Sequence, residues 1–390
     1  MLEIEERIIA LTRDLMLIPS THSRPEECGK CFRFIRNHLE QVPGAVFHEY
    51  ESEGFGSLVV TVEGEGEGAP DVLLCGHIDV VDHADVGDFR SEVRGGRIWG
   101  PGAGDMKGAV AIMMELFRTL VKRNPGISLG LAITSDEERG GENGVRYLFE
   151  DVGLRCGVAI IPDGGSLADI TVEEKGILHG RVRCRGVGAH AARPWLGKNA
   201  LESAAAIVED LGMGFREMRG GGEATRESHW VPTCSVTRWG TDNGAINGIP
   251  DDAWLEFDSR FTAPVTVAEI AEKVEGMVAG RGEVEVIVGA EPTVLNPDEL
   301  FVKVTEEVTG RVVKRVRASG GSDARFICAH GIPVMLSRPL VGGLHAVDEW
   351  VDIESMMAYY RICERYIEER LGLVVGGLRN GLEPRVGGGG

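Results

Sequence analysis

The 390-residue chain has too few basic residues for one broad group of functions. It carries 41 Lys and Arg against 61 Asp and Glu, so its formal net charge is -20. Nucleic acids and anionic membranes bind proteins with clustered Lys and Arg, whereas the basic residues here are scattered along the sequence. The composition therefore argues against nucleic acid or a membrane surface as the main partner.

Long apolar runs and a recognisable leader are also lacking. The sequence has no stretch of about 18 or more apolar residues, the length that a helix needs to cross a bilayer. The amino terminus, MLEIEERIIALTRDL, is acidic and amphipathic, whereas a secretory signal has a basic segment followed by an apolar stretch. We therefore expect a cytoplasmic protein.

Cysteine is scarce, since eight residues in 390 are too few for a disulfide scaffold. Cys28 and Cys31 form a single Cys-x-x-Cys spacing within a predicted helix. Such a spacing can indicate redox or metal chemistry, but it has no second pair and no βαβ context here. We interpret the two residues as reduced cysteines of a helix.

The first part of the chain alternates strand-like apolar runs with helical periodicity, which indicates an α/β layer structure. The predicted helices are 5–17, 25–41 and 107–122, and the predicted strands are 57–63, 71–76, 128–134 and 157–161. The α/β pattern resumes near residue 292 and ends in a helix at 352–371.

The middle of the chain shows the two-residue period of half-buried strands. Predicted strands at 178–185, 234–239, 253–261 and 283–289 are interleaved with helices near 198–212 and 266–278. Strands with one polar face and two helices predict a small inserted α+β domain. The predicted division is a catalytic domain at 1–177 and 292–372, an inserted domain at 178–291, and a disordered tail at 373–390.

Candidate functional side chains follow three of the predicted strands. His77 follows the strand at 71–76, Glu137 and Glu138 follow 128–134, and Asp163 follows 157–161. Open α/β sheets bind ligands at the carboxyl ends of their strands. Carboxylates that converge there repel one another unless a cation lies between them. The sequence therefore predicts a divalent metal site.

Two further candidates lie in glycine-rich turns. Asp105 stands in GPGAGDMKG just before a helix, and His345 follows Gly342-Gly343-Leu344. Asp105 could instead be a helix N-cap, and the turn could bind phosphate, although it lacks the Gly-Lys-Ser or Gly-Lys-Thr ending. Dispersed His and carboxylate ligands suit a catalytic site more than a structural one.

One His and one carboxylate for each ion, with a shared Asp, is the composition of a two-metal hydrolase whose ions lie about 4 Å apart. Zinc is favoured, with two ions per subunit, and cobalt and manganese are the alternatives. Asp79, two residues after His77, could hold the second ring nitrogen of that histidine. The competing interpretations are a structural histidine in a core strand and, for Glu137 and Glu138, a surface acidic run.

The order of eight short segments resembles one known family. CGHIDV, GPGAGDMKG, TSDEERGG, IIPDGG, GAHAARPWLGKNA, NGIP, SGGSDARF and GGLHAVDEW follow one another as in the di-zinc aminoacylase and carboxypeptidase metallopeptidases, which include succinyl-diaminopimelate desuccinylase, acetylornithine deacetylase and glutamate carboxypeptidase. The resemblance spans about residues 5 to 371. It implies a zinc-peptidase-like catalytic domain with a mixed sheet and flanking helices, plus an inserted lid and dimerisation domain.

The resemblance also implies a role for each candidate residue. His77 and Asp163 would bind one zinc ion, Glu138 and His345 the other, and Asp105 would bridge them. Glu137 would be the general base, assisted by Asp79 and by His190, which in dimeric members comes from the partner subunit. The substrate contacts would be Asn247, Arg260, Gly321 and Ser322.

The implied reaction is hydrolysis of the amide bond of an N-acyl amino acid, with Arg260 holding the substrate carboxylate. Two positions depart from the desuccinylase pattern, because Val341 replaces an Asn and Lys175-Gly176-Ile177 replaces an Arg-Gly-Ser turn. A carboxypeptidase or dipeptidase acting on short peptides is therefore the main alternative. A non-catalytic metal-binding regulator is a third, which the presence of Glu137 argues against.

Overall fold

The computed structural model describes residues 2–63, 69–225 and 227–373. The tail predicted at 373–390 lies outside these residues apart from Leu373. No helix within the described ranges is both long enough and apolar enough to cross a membrane.

The helices and strands correspond closely to the predicted elements. The described helices are α1 (Leu2–Met16), α2 (Pro25–Leu39), α3 (Gly108–Arg123), α4 (Val145–Glu150), α5 (Ala200–Met218), α6 (Val267–Val278), α7 (Glu299–Thr309), α8 (Ala324–Cys328) and α9 (Ile353–Arg370). Helix α5 continues to Met218 instead of ending near residue 212. Its apolar positions Ile207, Leu211 and Phe215 keep the helical spacing, and all three are buried.

The described strands are β1 (Ala45–Ser52), β2 (Phe55–Val62), β3 (Val72–His77), β4 (Glu92–Arg94), β5 (Arg97–Trp99), β6 (Leu129–Thr134), β7 (Val158–Ile161), β8 (Asp169–Glu174), β9 (Gly176–Arg185), β10 (Ala189–His190), β11 (Thr233–Gly240), β12 (Gly248–Ile249), β13 (Asp252–Phe261), β14 (Gly282–Ala290), β15 (Thr293–Val294), β16 (Lys314–Ala318), β17 (Val334–Leu336), β18 (Val341–Gly342) and β19 (Trp350–Asp352). Strands β3, β6 and β7 are buried along their whole length, as expected for strands covered on both faces.

The chain divides into two compact units, and the first comprises Met1–Ile170, Asn296–Lys314 and Ala329–Gly390. Its main sheet has the strand order β1-β2-β6-β3-β7-β17. β3, β6, β7 and β17 are parallel neighbours, whereas β1 and β2 are antiparallel, so the sheet is mixed as predicted. Buried side chains of α1, α3 and α9 form the core with these strands.

The second unit comprises Thr171–Leu295 and Arg315–Cys328. Its antiparallel sheet has the order β11-β13-β9-β14, and α5 and α6 pack together on one face. Strand β13 alternates strictly, with Leu255 and Phe257 buried and Trp254 and Glu256 partly exposed. The sheet therefore has an apolar face under the helices and a polar face opposite, as its two-residue period predicts.

Candidate metal centre

Parallel strands bring four of the predicted side chains to one edge of the sheet in the first unit. His77 is the last residue of β3 and pairs in register with Thr134 of β6. Glu137 and Glu138 follow β6 on a short 3-10 turn, and Asp163 follows β7. Because these strands run in the same direction, their carboxyl ends lie side by side.

Asp105 reaches the same site from the turn before α3. The carboxylate of Glu349, which is almost fully buried, accepts hydrogen bonds from the backbone N–H groups of Gly104 at 2.6 Å and Asp105 at 2.8 Å. Burial raises the pKa of Glu349 to about 7, although the backbone N–H groups favour its charged form. The turn contains a cis peptide between Asp105 and Met106. A Cβ atom at Gly104 would lie 2.8 Å from that of Val341, so the close approach requires glycine.

The carboxylate of Asp105 lies between two imidazoles. Its Oδ1 is 3.2 Å from Nε2 of His77, and its Oδ2 is 3.4 Å from Nε2 of His345. Nε2 of His345 is also 3.4 Å from Oε1 of Glu138, and Nε2 of His77 is 4.0 Å from Oδ2 of Asp163. Two groups of potential ligands result, which share Asp105: one with His77 and Asp163, the other with Glu138 and His345.

The atoms that face one another in these groups are suited to a metal rather than to each other. In each group, one potential ligand atom from every residue lies within 4.8 Å of the others. Nε2 of His77, Oδ1 of Asp105 and Oε1 of Glu138 are buried and make no hydrogen bond among the described residues. Buried polar atoms without a partner are costly, and imidazole with carboxylate is a donor set that zinc accepts. The residues therefore fit two divalent ions.

The charges in the cluster support the same conclusion. Hydrogen bonds with Asp105 and Glu138 raise the pKa of His345 to about 10. Burial alone would raise the pKa of Asp105, but the hydrogen bonds from His345 and His77 outweigh it and hold that pKa well below the usual range. The carboxylates thus hold positive charge at the positions where a metal would replace the imidazole protons.

Asp79 supports the site through its backbone as well as its side chain. Nδ1 of His77 lies 3.0 Å from the carbonyl oxygen of Asp79 and 3.4 Å from its Oδ1, so the carbonyl is the nearer acceptor. A proton on Nδ1 leaves the lone pair of Nε2 available to a metal. Oδ2 of Asp79 accepts a hydrogen bond from the backbone N–H of Glu138 at 2.9 Å. Asp79 therefore positions one ligand and the turn that carries another.

Glu137 lies beside the cluster without belonging to either ligand group. Its Oε2 is 3.8 Å from Nε2 of His77, and its side chain keeps 16% of its surface exposed. The preceding Asp136 is buried and accepts backbone N–H groups from Asn143 at 2.6 Å and Gly144 at 2.9 Å. These bonds close the loop that carries both glutamates. Glu137 is therefore near the ligands and still open to a substrate.

His190 and Asn247 are adjacent in the second unit. His190 pairs with Gly248 in the β10–β12 ribbon, and the backbone N–H of Ala191 donates to the carbonyl of Asn247 at 2.8 Å. The His190 side chain is exposed, and its Nδ1 accepts the N–H of Ala192 at 3.1 Å. In the neutral ring Nε2 therefore carries the proton and is a potential donor.

Arg260 contacts an acidic partner within its own strand. Its Nε and Nη2 lie 2.7 and 3.0 Å from the two carboxylate oxygens of Asp258, and Nε2 of His179 lies 3.2 Å from the same carboxylate. The fork that the sequence predicted for a substrate carboxylate thus already binds Asp258. A substrate would meet the edge of this guanidinium that Asp258 does not occupy.

Gly321 and Ser322 lie next to a buried acid of the second unit. Ser322 is buried, forms hydrogen bonds with Glu174, and accepts the backbone N–H of Ala324 at 3.3 Å. A Cβ atom on Gly321 would lie 3.1 Å from Ile177. The loop is therefore packed against its own unit.

Two residues at the metal centre had no role in the sequence prediction. Glu349 holds the turn of Asp105, and Arg338 places Nη1 3.3 Å from Oδ1 of Asp163. An acid just before a short strand and an arginine just after one are common on protein surfaces. Sequence spacing offered no signal for either contact, because each joins segments far apart in the chain.

Comparison with known proteins is consistent with this geometry. A family model described as peptidase family M20/M25/M40 matches residues 73–369. The succinyl-diaminopimelate desuccinylase of Methylococcus capsulatus is 31% identical over 374 residues, which cover 90% of this chain and 95% of the relative. The enzyme of the same name from Pseudoalteromonas translucida is 26% identical over 93% of this chain and 99% of its own length.

Solved structures share the fold at lower identity. The M20 family metallo-carboxypeptidase Sso-CP2 from Sulfolobus solfataricus has a TM-score of 0.76 at 16% identity, covering 94% of this chain and 99% of its own. The aminopeptidase PepT from Bacillus cereus has a TM-score of 0.72 at 20% identity, covering 94% and 98%. Both likenesses extend over the whole described fold.

Proposed function

Because the chain belongs to peptidase family M20/M25/M40 and is a metal-dependent amide hydrolase, we propose that it cleaves the amide bond of N-acyl amino acids with two bound zinc ions. The carboxylate of Asp105, which faces an imidazole with each oxygen, carries this proposal. His77 and Asp163 would hold one ion with it, and Glu138 and His345 the other. Cobalt and manganese are the alternative metals.

The ions, when bound, would polarise the amide carbonyl and make water more acidic. Glu137 takes a proton from the attacking water and returns it to the leaving amine, since it lies beside the ligands without joining them. Asp79 orients His77 and the Glu138 turn. His190 donates from Nε2 to the developing oxyanion, and Arg260 and Asn247, with the Gly321-Ser322 loop, contact the substrate.

The relatives support a deacylase more than a peptidase. The desuccinylases of Methylococcus capsulatus and Pseudoalteromonas translucida match nine tenths or more of this chain at 26 to 31% identity. The metallo-carboxypeptidase and aminopeptidase structures support the fold at 16 to 20% identity. Cleavage of short peptides is therefore the second candidate.

A hydrolysis screen separates the two activities. The zinc-loaded protein is incubated with N-succinyl, N-acetyl and N-formyl amino acids and with dipeptides, and released amine is quantified. We expect at least one acyl amino acid to be cleaved roughly 10-fold or more faster than any dipeptide, a difference of about 1.4 kcal/mol in the barrier. Faster cleavage of dipeptides would favour the peptidase, and no cleavage by a protein with two zinc ions bound would refute both.

We propose that the protein forms a homodimer through the second unit. β11 is an edge strand of its sheet, and Trp239 on it is 55% exposed beside a groove lined by Ala205, Val208 and Val236. Exposed edge strands with apolar side chains pair readily with a second copy. Trp239→Lys should give a monomer in light scattering, whereas Val286→Lys on the opposite edge strand should not. A monomeric unsubstituted protein would contradict the proposal.

We also propose that the protein is cytoplasmic. All eight cysteines have free thiols, as is usual in a reducing compartment. Cell fractionation with an antibody against the chain tests this location, and recovery outside the cytosolic fraction would contradict it.

A further inference from the structure

Arg338 and Asp163 occupy equivalent places at the ends of two adjacent parallel strands. Leu336, the last residue of β17, pairs in register with Ile161, the last residue of β7. Asp163 lies two residues beyond β7 and Arg338 two residues beyond β17. The strand register therefore brings this guanidinium beside a candidate metal ligand.

The two oxygens of Asp163 have different neighbours. Oδ2 lies 4.0 Å from Nε2 of His77, within the first ligand group. Oδ1 lies 3.3 Å from Nη1 of Arg338. One oxygen is thus directed to the metal position while an arginine contacts the other.

The contact is protected from water, which makes it stronger than a surface ion pair. The side chains of Arg338 and Asp163 are 15% and 10% exposed, and Nε of Arg338 is buried without a hydrogen bond among the described residues. Exposed ion pairs contribute little to stability, but breaking a buried pair leaves an uncompensated charge. We therefore expect Arg338 to retain its contact with Asp163 when the metal binds.

We propose that Arg338 is a positioning residue that restricts Asp163 to one-oxygen coordination and so keeps a coordination position of the first ion open. A carboxylate free on both sides can bind a metal through both oxygens, and a catalytic zinc site needs an open position. Residues that hold metal ligands typically change metal affinity or activity by roughly 10- to 100-fold when they are replaced. This inference rests on the proposed metal centre but not on the identity of the substrate.

The test uses Arg338→Met, with Arg338→Lys as the variant that keeps the charge but loses the planar fork. Cobalt replaces zinc as the probe, because its visible absorption weakens as its coordination number rises. We expect the Met variant to bind cobalt with weaker visible absorption and to lose kcat by about 10-fold or more with little change in KM. The Lys variant should lie between the two. Arg361→Met, on the exposed surface of α9, controls for the loss of one positive charge.

A double-mutant cycle shows whether Arg338 acts through Asp163. Metal affinity is measured by competition with a chelator for Arg338→Met, Asp163→Asn and the double variant. If Arg338 acts by holding Asp163, its replacement should have little further effect once Asp163 is Asn.

An unchanged cobalt spectrum with a raised KM alone would show that Arg338 binds the substrate instead, and additive losses of affinity would also overturn the inference. If the Met variant fails to fold, the Lys variant and the same cycle built on it decide the question. Because the cobalt spectrum and the chelator titration need no substrate, failure of the hydrolysis screen leaves these outcomes readable.

Discussion

At the scale of single residues, two adjacent glutamates occupy different environments. Oε1 of Glu138 lies 3.4 Å from His345 within a ligand group, and the backbone N–H of Glu138 is held by Asp79. Glu137 stays outside both groups and partly exposed. Successive residues of a tight turn point in different directions, so one can bind a metal while the other moves protons.

Replacing each glutamate with glutamine should therefore give different results. Glu137→Gln should retain zinc and reduce kcat by about 100-fold or more, because a general base is lost. Glu138→Gln should lose zinc during dialysis, because a charged ligand becomes neutral. Zinc content by atomic emission and kcat for N-acyl amino acids check both variants. The opposite pair of phenotypes would mean that the two roles are exchanged.

At the scale of elements, the end of β8 holds a carboxyl group that folding removes from water. Glu174 is almost fully buried, and burial raises its pKa to about 7 although hydrogen bonds with Ser322 favour the charged form. Its neighbour Glu173 is 28% exposed and paired with Arg317 of β16. Two adjacent positions of one strand thus face a core and a surface.

Glu174 should make stability depend on pH. The folded pKa is near 7 and the ordinary value is 4.5, so between these values the folded chain binds more protons than the unfolded chain. Stability should therefore fall as pH rises from about 4.5 to 7 and level off above, by up to about 3 kcal/mol.

Urea unfolding at about pH 5 and pH 8 checks this linkage. Glu174→Gln should be more stable relative to the unsubstituted protein at the higher pH, and Glu173→Gln is the control for losing a carboxylate from the same strand. Equal differences at both pH values would rule out the linkage.

At the scale of the whole molecule, the candidate residues are divided between the two units. The metal ligands and Glu137 belong to the first unit, and His190, Asn247 and Arg260 belong to the second. A dimer offers a way for one chain to supply the histidine and the other the base, as the resemblance implies.

Mixing two inactive variants tests shared sites. His190→Ala and Glu137→Gln homodimers should each be inactive, but half of a random mixture is hybrid, and one of the two sites in each hybrid has both groups. Activity should recover to about a quarter of normal. A mixture of Glu137→Gln with Glu138→Gln should not recover, because both residues belong to the same unit. No recovery with His190→Ala, despite proven subunit exchange, would mean that His190 acts within its own chain or not at all.

The sequence by itself predicted the mixed α/β architecture and the clustering of His77, Asp105, Glu138, Asp163 and His345. Apolar runs define strands, and parallel strands place whatever follows them at one edge, so local patterns were sufficient. The two-residue period likewise predicted the antiparallel sheet of the second unit. These features depend on residues close together in the chain.

Other features required the tertiary structure. Glu349 holds Asp105 from 244 residues away, Arg338 meets Asp163 from 175 residues away, and Arg260 is paired with Asp258 instead of standing free. Sequence spacing carries no record of such contacts, because they depend on which strands become neighbours and in which register. The local sequence therefore decided which side chains could bind metal, and long-range packing decided how each is oriented and which partner holds it.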